Sequence, residues 1–318
     1  MPEQKLIQGY EIRFLASLFV VLTLMMIISY VLGARVERGD ASKPTQVVAS
    51  PVFNEDLVNQ LQAKSVYVYD VRNQSVLFAK NENTRLPLAS LTKLMTALVA
   101  SERSPSYGTV TITKEALAAE GDSGLLAGEK WSLKNLLDFS LTTSSNDGMR
   151  AVALTFGAIH DSTATPDEII GNFVGLMNEK ARELDLKNTY FWNETGLDES
   201  EQKGGAYGSA KDVATLLEYI LRKEPEMLET TRQSMSDVVS LDGLIHKAKN
   251  TNLLAGAIPG LMGSKTGFTN TAGGNLAIAF DPELGRPFII VVMGSTENGR
   301  FEDVGLLTNA VLKQIKEN

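Results

Sequence analysis

Apolar residues recur at three- and four-residue intervals through the segment PLASLTKLMTALVA, residues 87–100. This spacing predicts a helix with one buried stripe of side chains. Two polar residues, Ser90 and Lys93, interrupt the pattern one turn apart. Taken alone, they read as a helix-capping serine and a lysine whose stem lies on apolar surface. The rest of the chain has to supply a reason for any other role. The stripe consists of Leu91, Leu94, Met95, Leu98 and Val99.

Patterns typical of β-strands appear near both ends of the chain, and the first of them alternates strongly. KSVYVYDV (64–71), a short turn and SVLFAK predict a hairpin. NLAIAF (275–280) and PFIIVVMG (287–294) predict two further strands joined by DPELGR. Strands from such distant segments, with helices between them, predict one sheet and a helical insert.

The intervening helices have recognisable starts. Thr165-Pro166-Asp167-Glu168 forms a capping box with proline at the first helical position. Ser209 and Asp212 begin another helix, and DVGLLTNAVLKQI (303–315) predicts a last one. The expected fold class is therefore α/β in the α+β sense, an antiparallel sheet flanked by helices.

The first fifty residues follow a different pattern. Residues 14–34 form a run of 21 residues without a charge, which is long enough to cross a bilayer as a helix. The run is longer than the apolar core of a cleaved signal peptide and has at best a weak cleavage site. We therefore expect a short N-terminal tail (1–13), an uncleaved transmembrane signal anchor (14–34) and a polar linker (35–53). The remaining residues, 54–318, would form the functional domain.

Composition narrows the chemistry of that domain. The chain has 318 residues, 43% of them hydrophobic, a net charge of −8 and no cysteine. The acidic balance argues against a nucleic-acid partner. Disulfides, thiolate nucleophiles and cysteine metal sites are excluded, and only two histidines, His160 and His246, are present. We expect no metal and no cofactor, so a hydrolase here needs a base other than histidine.

Three short sequence motifs of polar residues follow one another along the chain. They are Ser90-Leu-Thr-Lys93 (S-x-x-K), Ser144-Ser145-Asn146 (S-x-N) and Lys265-Thr266-Gly267 (K-T-G). Each alone is weak, because Ser144 and Asn146 could cap the following helix and K-T-G could be a turn entering a strand. Together and in this order they form the motif set of penicillin-binding proteins and serine β-lactamases.

Nucleophilic catalysis by a serine explains why these motifs contain serine and lysine. A serine hydroxyl needs a base to become a nucleophile, and a neutral lysine can serve. Spacing i, i+3 places Ser90 and Lys93 on one helix face. Burial and a second cation, Lys265, would both lower the pKa of Lys93. The helix N-terminus at Ser90 favours developing negative charge.

The resemblance extends beyond the motifs. LMNEKARELDLKNTYFWNETGLDE (176–199), GSAKDVATLL (208–217) and NTNLLAGAIPGLMGSKTGFTNTAGGNLA (250–277) resemble serine-type D-Ala-D-Ala carboxypeptidases, the low-molecular-mass penicillin-binding proteins. The similarity covers roughly residues 54–310. It implies a β-lactamase/DD-peptidase-like fold in which an all-helical lobe stands beside the sheet and the active site lies at their seam.

The resemblance also implies roles for individual residues. Ser90 would attack the carbonyl of the penultimate D-alanine, with Lys93 as general base. Ser144 would relay a proton to the leaving D-alanine, and Asn146 would orient the peptide and Lys93. The substrate carboxylate would bind Lys265 and Thr266. Gly267 belongs to that same substrate-binding strand motif, the backbone N–H groups of Ser90 and Phe268 would form the oxyanion hole, and Arg300 would lie near the carboxylate.

The resemblance implies partners and a location as well. The partners would be peptidoglycan peptides ending in D-Ala-D-Ala, and β-lactams as covalent inhibitors. Family members often carry a second β-rich domain and a C-terminal amphipathic anchor, whereas here the N-terminal helix is expected to hold the protein to the membrane. Charge counting around residues 14–34 slightly favours a cytoplasmic C-terminal side. A cell-wall substrate requires the opposite orientation, and we expect a single-pass protein of the cell membrane with its catalytic domain on the extracytoplasmic face.

Two other functions remain open. A class A-like β-lactamase would need a carboxylate that activates water against the acyl-enzyme, and Glu194-Thr-Gly-Leu197-Asp198 resembles its E-x-x-L-N loop. Asp198 could instead fix that loop. The other alternative is a non-catalytic sensor of β-lactams or cell-wall peptides that signals through its membrane helix.

Overall fold

Backbone pairing joins strands from the two ends of the chain into one antiparallel sheet. The computed structural model describes residues 46–48, 52–158 and 164–317. The predicted tail 1–13, the predicted membrane span 14–34 and His160 lie outside these described residues. The sheet has the order β1-β3-β2-β13-β12-β11. Its strands are β1 (Gln46–Val48), β2 (Ser65–Asp70), β3 (Ser75–Lys80), β11 (Leu261–Thr269), β12 (Gly273–Phe280) and β13 (Phe288–Ser295).

Both predicted strand pairs are present in this sheet. β2 and β3 form the first hairpin, with Val68 opposite Phe78, and β12 and β13 form the second, with Ile278 opposite Ile290. β13 also pairs with β2, which joins the two hairpins. The sequence pattern did not predict β11, the edge strand that carries Lys265-Thr266-Gly267.

The alternation along the central strands divides the core into two layers. Phe288, Ile290 and Val292 of β13 pack in one apolar cluster, and Ile289 and Val291 pack in the other. All of these side chains are fully buried. A strand that is buried on both faces needs helices on both sides of the sheet, and that is the arrangement observed.

Helices supply the two outer layers. α1 and α7 belong to the smaller core cluster, and the other helices surround the larger one. The capping box at Thr165 and the serine cap at Ser209 are confirmed. The helices are α1 (Glu55–Gln60), α2 (Lys93–Ser101), α3 (Leu133–Thr143), α4 (Asn146–Gly157), α5 (Pro166–Glu183), α6 (Ala210–Lys223) and α7 (Gly299–Glu317), with 3₁₀ turns at Ala89–Thr92, Ala116–Ala118 and Pro225–Arg232.

The lobe beside the sheet is not all-helical, which corrects the expectation above. Within it, β5 (Thr109–Thr111) pairs with β6 (Lys130–Ser132), and Val110 lies opposite the buried Trp131. Three-residue strands are too short for a periodic signal in the sequence. The other short strands are β4 (Leu86–Pro87), β7 (Tyr190–Phe191), β8 (Ala206–Gly208), β9 (Met235–Val239) and β10 (Ile245–Lys249).

Two further expectations about the N-terminal half need correction. The segment predicted as a linker, residues 35–53, contains strand β1 and the fully buried Phe53, and the compact unit spans residues 46–318. The segment 87–100 does not bury a single stripe. It starts as a 3₁₀ turn, and α2 is buried on all sides from Lys93 to Ala100. Among the described residues, no helix has the length and apolar character needed to cross a membrane.

Candidate active site

The 3₁₀ turn Ala89–Thr92 holds Ser90 at the entrance to α2. Ala89 has a φ of 46°, an uncommon conformation for a residue with a side chain, and such strain persists only where the surroundings enforce it. Asn275 of β12 supplies part of that constraint. Its buried amide donates 3.0 Å hydrogen bonds to the carbonyls of Pro87 and Leu88. The turn is thereby tied to the sheet.

Lys93 lies directly beneath Ser90. Its side chain is completely buried, and Nζ donates a 2.7 Å hydrogen bond to Ser90 Oγ. A second hydrogen bond, of 3.0 Å, goes to the carbonyl of Thr195. The predicted contact between the two residues is therefore present, and the lysine is not a surface residue with its ammonium in water.

Ser144 and Lys265 meet across the seam between lobe and sheet. Lys265 Nζ donates to Ser144 Oγ at 2.9 Å and to the Thr266 carbonyl at 2.9 Å. Ser144 has a φ of 62° at the end of α3. The side chain that caps α4 is that of Ser145, which accepts a hydrogen bond from the Gly148 N–H. Ser144 is therefore the C-cap of α3 and not the N-cap of α4, and its hydroxyl accepts the hydrogen bond of Lys265.

Asn146 starts α4 but does not contact Lys93. Its Nδ2 donates a 2.7 Å hydrogen bond to the Glu120 carbonyl. Its buried Oδ1 has no hydrogen-bond partner among the described residues. The role of Asn146 in orienting the peptide and Lys93 stays a prediction, and its carbonyl oxygen has capacity to accept a further hydrogen bond.

The remaining motif residues lie along β11. Thr266 Oγ1 is 2.6 Å from Thr251 Oγ1. A Cβ built on Gly267 would lie 2.9 Å from the Leu88 oxygen and 3.1 Å from the Ser90 nitrogen. Only glycine allows β11 to lie this close to the Ser90 turn. Arg300 at the start of α7 donates a 2.8 Å hydrogen bond to the Gly267 carbonyl.

Phe268 forms the outer wall at this end of β11. Its ring is 41% exposed and lies 5.8 Å from the Arg300 guanidinium. It borders an open cavity of about 570 Å³. Phe268 directly follows the K-T-G motif, and the Glu120 carbonyl accepts the hydrogen bond of Asn146, so the cavity lies beside the motif residues. The cavity is also lined by Glu120, Leu197, Asp198, Ser200, Glu201, Thr269, Asn270 and Thr271.

Burial controls the charges of the two lysines. It lowers the pKa of Lys93 to about 7, against a smaller raising effect of Glu194. Burial also lowers the pKa of Lys265 well below its ordinary value, helped by the charges of Lys93 and Arg300. Burial also lowers the pKa of Arg300, and the charge of Glu297 opposes this effect. The two lysines repel each other as expected, and burial is the larger cause of the lowered pKa of each.

The loop between β7 and β8 carries the two acidic residues of the β-lactamase comparison. Asp198 accepts hydrogen bonds from Thr269 Oγ1 (2.9 Å) and the Thr271 N–H (3.3 Å), so it fixes the loop to the β11–β12 turn. Glu194 is 1% exposed and forms an ion pair with Arg150. Sequence reasoning missed Arg150, Asn275 and Thr251. Of these, only Asn275, a lone amide in the apolar strand NLAIAF, leaves a signal in the sequence.

The two histidines lie away from these motifs or outside the described residues. His246 Nε2 is 2.7 Å from Glu129 Oε1, and its ring packs 4.9 Å from that of Trp131. Its contacts are therefore those of a structural residue, as expected, and His160 is not described.

Comparison with known proteins agrees with this geometry. A family model described as D-alanyl-D-alanine carboxypeptidase, peptidase family S11, matches residues 50–297. The D-alanyl-D-alanine carboxypeptidase DacF of Bacillus subtilis is 34% identical over 218 residues, which is 66% of this chain and 52% of that protein. DacD of Escherichia coli is 31% identical over 261 residues, 77% of this chain and 61% of that protein. The chain therefore spans between about half and three fifths of these relatives.

Solved structures resemble the described fold. The crystal structure of a Streptomyces DD-transpeptidase superposes with a TM-score of 0.69 at 26% identity, covering 79% of this chain and 97% of the other. The D-alanyl-D-alanine carboxypeptidase of Mycobacterium tuberculosis gives a TM-score of 0.68 at 25% identity, covering 80% and 92%. Motifs, fold and family match all lead to one assignment: the chain belongs to the D-alanyl-D-alanine carboxypeptidase family, peptidase family S11.

Proposed function

We propose that the protein is a serine D-Ala-D-Ala carboxypeptidase that removes the terminal D-alanine from peptidoglycan stem peptides. The observation that carries the proposal is the fully buried Lys93, hydrogen-bonded to Ser90 at 2.7 Å and with a pKa near 7. A lysine with this pKa exists in part as a neutral amine at neutral pH, and a neutral amine can take the proton of the serine hydroxyl.

The acylation step follows from the arrangement around Ser90. Ser90 Oγ attacks the carbonyl carbon of the penultimate D-alanine, and its proton moves to Lys93 Nζ. The oxyanion binds the backbone N–H groups of Ser90 and Phe268, a role that the close approach of Gly267 to the Ser90 nitrogen supports. The C–N bond then breaks, and the leaving D-alanine amine receives a proton relayed by Ser144.

Deacylation completes the cycle. A water molecule adds to the Ser90 ester, its proton returns through the same lysine, and the shortened peptide leaves with Ser90 regenerated. β-Lactams would acylate Ser90 by the same attack, and so we propose them as covalent inhibitors. Asn146 would accept a hydrogen bond from the substrate through its unpaired Oδ1.

The terminal carboxylate of the substrate would bind where cationic and hydroxyl groups converge. Lys265, Thr266 and Arg300 surround this position. A bound carboxylate would favour the protonated form of Lys265, because a nearby anion opposes the effect of burial and of like charges.

We also propose how the protein is held near its substrate. Residues 14–34 have the length and composition of a membrane-spanning helix. With a cell-wall substrate, residues 46–318 would face the extracytoplasmic side, connected to the membrane through a linker that ends before β1. Protease added to intact cells should then degrade this domain, and a fully protected domain would overturn the orientation.

The activity has a direct test with the full chain in mild detergent. We expect release of free D-alanine from a peptide ending in Lys-D-Ala-D-Ala, and no release by Ser90→Ala. Both proteins should have the same far-ultraviolet circular dichroism spectrum. No release from folded protein that still binds labelled penicillin at Ser90 would overturn the carboxypeptidase assignment. Rapid penicillin hydrolysis in that case would indicate a β-lactamase.

A further inference from the structure

A buried carboxylate, Glu194, paired with the partly exposed Arg150, lies close to the proposed base and outside the three motifs. Thr96 of α2 donates a 2.6 Å hydrogen bond to the Glu194 carbonyl, and Lys93 donates to the next carbonyl, that of Thr195. The backbone of this loop is thereby fixed against the helix that carries Lys93. Glu194 is held in place by α2 itself.

The Glu194 carboxylate is in an unusual environment. Its side chain is 1% exposed, and Oε1 lies 3.5 Å from Arg150 NH1. Neither carboxylate oxygen has a hydrogen-bond partner among the described residues, and Arg150 Nε also lacks one. A buried carboxylate without hydrogen bonds is costly, because it has lost its hydration without full replacement. Nearby charged groups must therefore offset part of the cost of burying this carboxylate.

Several charged residues lie close enough to Glu194 to affect its charge. Burial raises the pKa of Glu194, and Glu199 of the same loop adds to this effect. Arg150 on α4 and Lys93 on α2 oppose it and favour the carboxylate. Glu194 in turn opposes the effect of burial on Lys93, while Lys93 and Arg300 repel Lys265. Glu194 is thus a buried carboxylate whose charge acts on Lys93, and Arg150 favours its charged form.

We propose that Glu194, held by Arg150, is a positioning residue whose negative charge stabilises the ammonium form of Lys93 that arises when Lys93 takes the Ser90 proton. The inference rests on the proposed function, because it concerns Lys93 as base. Glu194 touches neither Ser90 nor substrate and acts through the lysine. A stronger base at the moment of proton transfer speeds acylation.

The role predicts a change in pH dependence that a packing role would not produce. The rate constant for acylation by a fluorescent penicillin is measured with the full chain from mildly acidic to mildly alkaline pH. In Glu194→Gln the midpoint of the acid limb should move down by roughly 1 pH unit, the scale of one nearby buried charge. The alkaline plateau should fall by about tenfold, because the lysine is then a weaker base.

Two matched variants separate charge from shape. Glu194→Asp keeps the negative charge and should keep the wild-type midpoint. Glu179→Gln makes the same change at an exposed carboxylate of α5 and should leave the midpoint and the plateau of the acylation rate unchanged. If Glu194→Gln does not fold, the double variant Glu194→Gln/Arg150→Met removes the buried carboxylate together with its partly exposed partner. A downward shift is again expected, because Glu194 and not Arg150 is the charge that raises the pKa of Lys93.

The outcomes distinguish this inference from the proposed function. Wild-type protein that is not acylated at any pH would overturn the proposed function and the inference with it. Wild-type protein with an acid limb, together with a Glu194→Gln variant that has a lower plateau and the same midpoint, would overturn only the role of Glu194. A downward shift that Glu194→Asp restores would support it.

Discussion

Lys93 Nζ lies 2.7 Å from Ser90 Oγ, yet the lysine is completely buried while the serine is only partly so. The two residues are three positions apart at the start of one helix, so the chain sets their distance locally. The pKa of the lysine is set by tertiary packing, because burial is what lowers it. Helix geometry and core packing thus each supply one requirement of the proposed base.

The first prediction concerns the pH dependence of acylation. Because the neutral amine is the base and burial lowers the Lys93 pKa to about 7, the acylation rate should rise with pH through an acid limb centred near that value. Lys93→Arg should lower the rate by about 100- to 10,000-fold at every pH, since arginine is not deprotonated in proteins. Stopped-flow measurement with a fluorescent penicillin gives both results.

The control for this prediction is the same substitution elsewhere. Lys134→Arg changes a partly exposed lysine that pairs with Asp138. This variant should keep the wild-type acylation rate and the wild-type midpoint of the acid limb. A Lys93→Arg variant with more than a tenth of the wild-type rate would show that another group is the base.

The second prediction concerns the close approach of β11 to the Ser90 turn. In Gly267→Ala the added methyl group would meet the Leu88 oxygen and the Ser90 nitrogen, and β11 must move away. We expect acylation to slow by roughly 10- to 100-fold because the oxyanion donors are displaced. The same kinetic assay measures the loss, and the circular dichroism spectrum should stay unchanged.

Gly175 provides the matched glycine. It is exposed on α5, and a Cβ there meets nothing within 4 Å. Gly175→Ala should keep full activity and raise the free energy of unfolding by about 0.5–1 kcal/mol, because alanine favours helix. Equal activity in the two alanine variants would mean that β11 does not constrain Ser90.

The sequence predicts the parts of the fold that have a repeating pattern. The hairpin of β2 and β3 alternates clearly, and Thr165 begins α5 with a capping box. β11 has no such pattern, because LMGSKTGFT combines two glycines with small polar residues. Its strand conformation comes from pairing with β12, a tertiary effect that propensity does not contain.

The candidate site divides in the same way. Ser90 and Lys93 are neighbours on one helix, so their contact follows from spacing. Ser144 and Lys265 are 121 positions apart and could be brought together only by recognising the motifs as a set. The pairing of Arg150 with Glu194 depends on how a loop packs against α4, and no local signal specifies that.

The third prediction concerns recognition of the substrate carboxylate. Arg300 donates to the Gly267 carbonyl and is among the cations near Lys265. Arg300→Gln should raise KM for a peptide ending in D-Ala-D-Ala by about 10- to 100-fold, the cost of losing a charged hydrogen bond. D-alanine release measured across peptide concentrations separates KM from kcat.

A substrate pair makes this prediction specific. The same peptide with a C-terminal amide has no carboxylate, and the wild-type protein should process it poorly. For Arg300→Gln the difference in KM between the acid peptide and the amide peptide should be much smaller than for the wild type. If the substitution raised KM equally for both peptides, Arg300 would only support the β11 backbone.

The last prediction concerns how α7 is fastened to the sheet. Asp303 is fully buried and accepts three hydrogen bonds, from the Gln62 and Ala63 N–H groups at 2.9 Å and from Ser295 Oγ at 2.8 Å. In Asp303→Asn the amide NH₂ would face one of these donors, leaving it without an acceptor. The free energy of unfolding should fall by about 1–3 kcal/mol, measured by urea denaturation with an unchanged m-value. Glu302→Gln, at the exposed neighbouring position, should stay within about 0.5 kcal/mol of wild type. If Asp303→Asn were as stable as that control, the carboxylate would not be what joins the residues before β2 to the end of β13 and to α7.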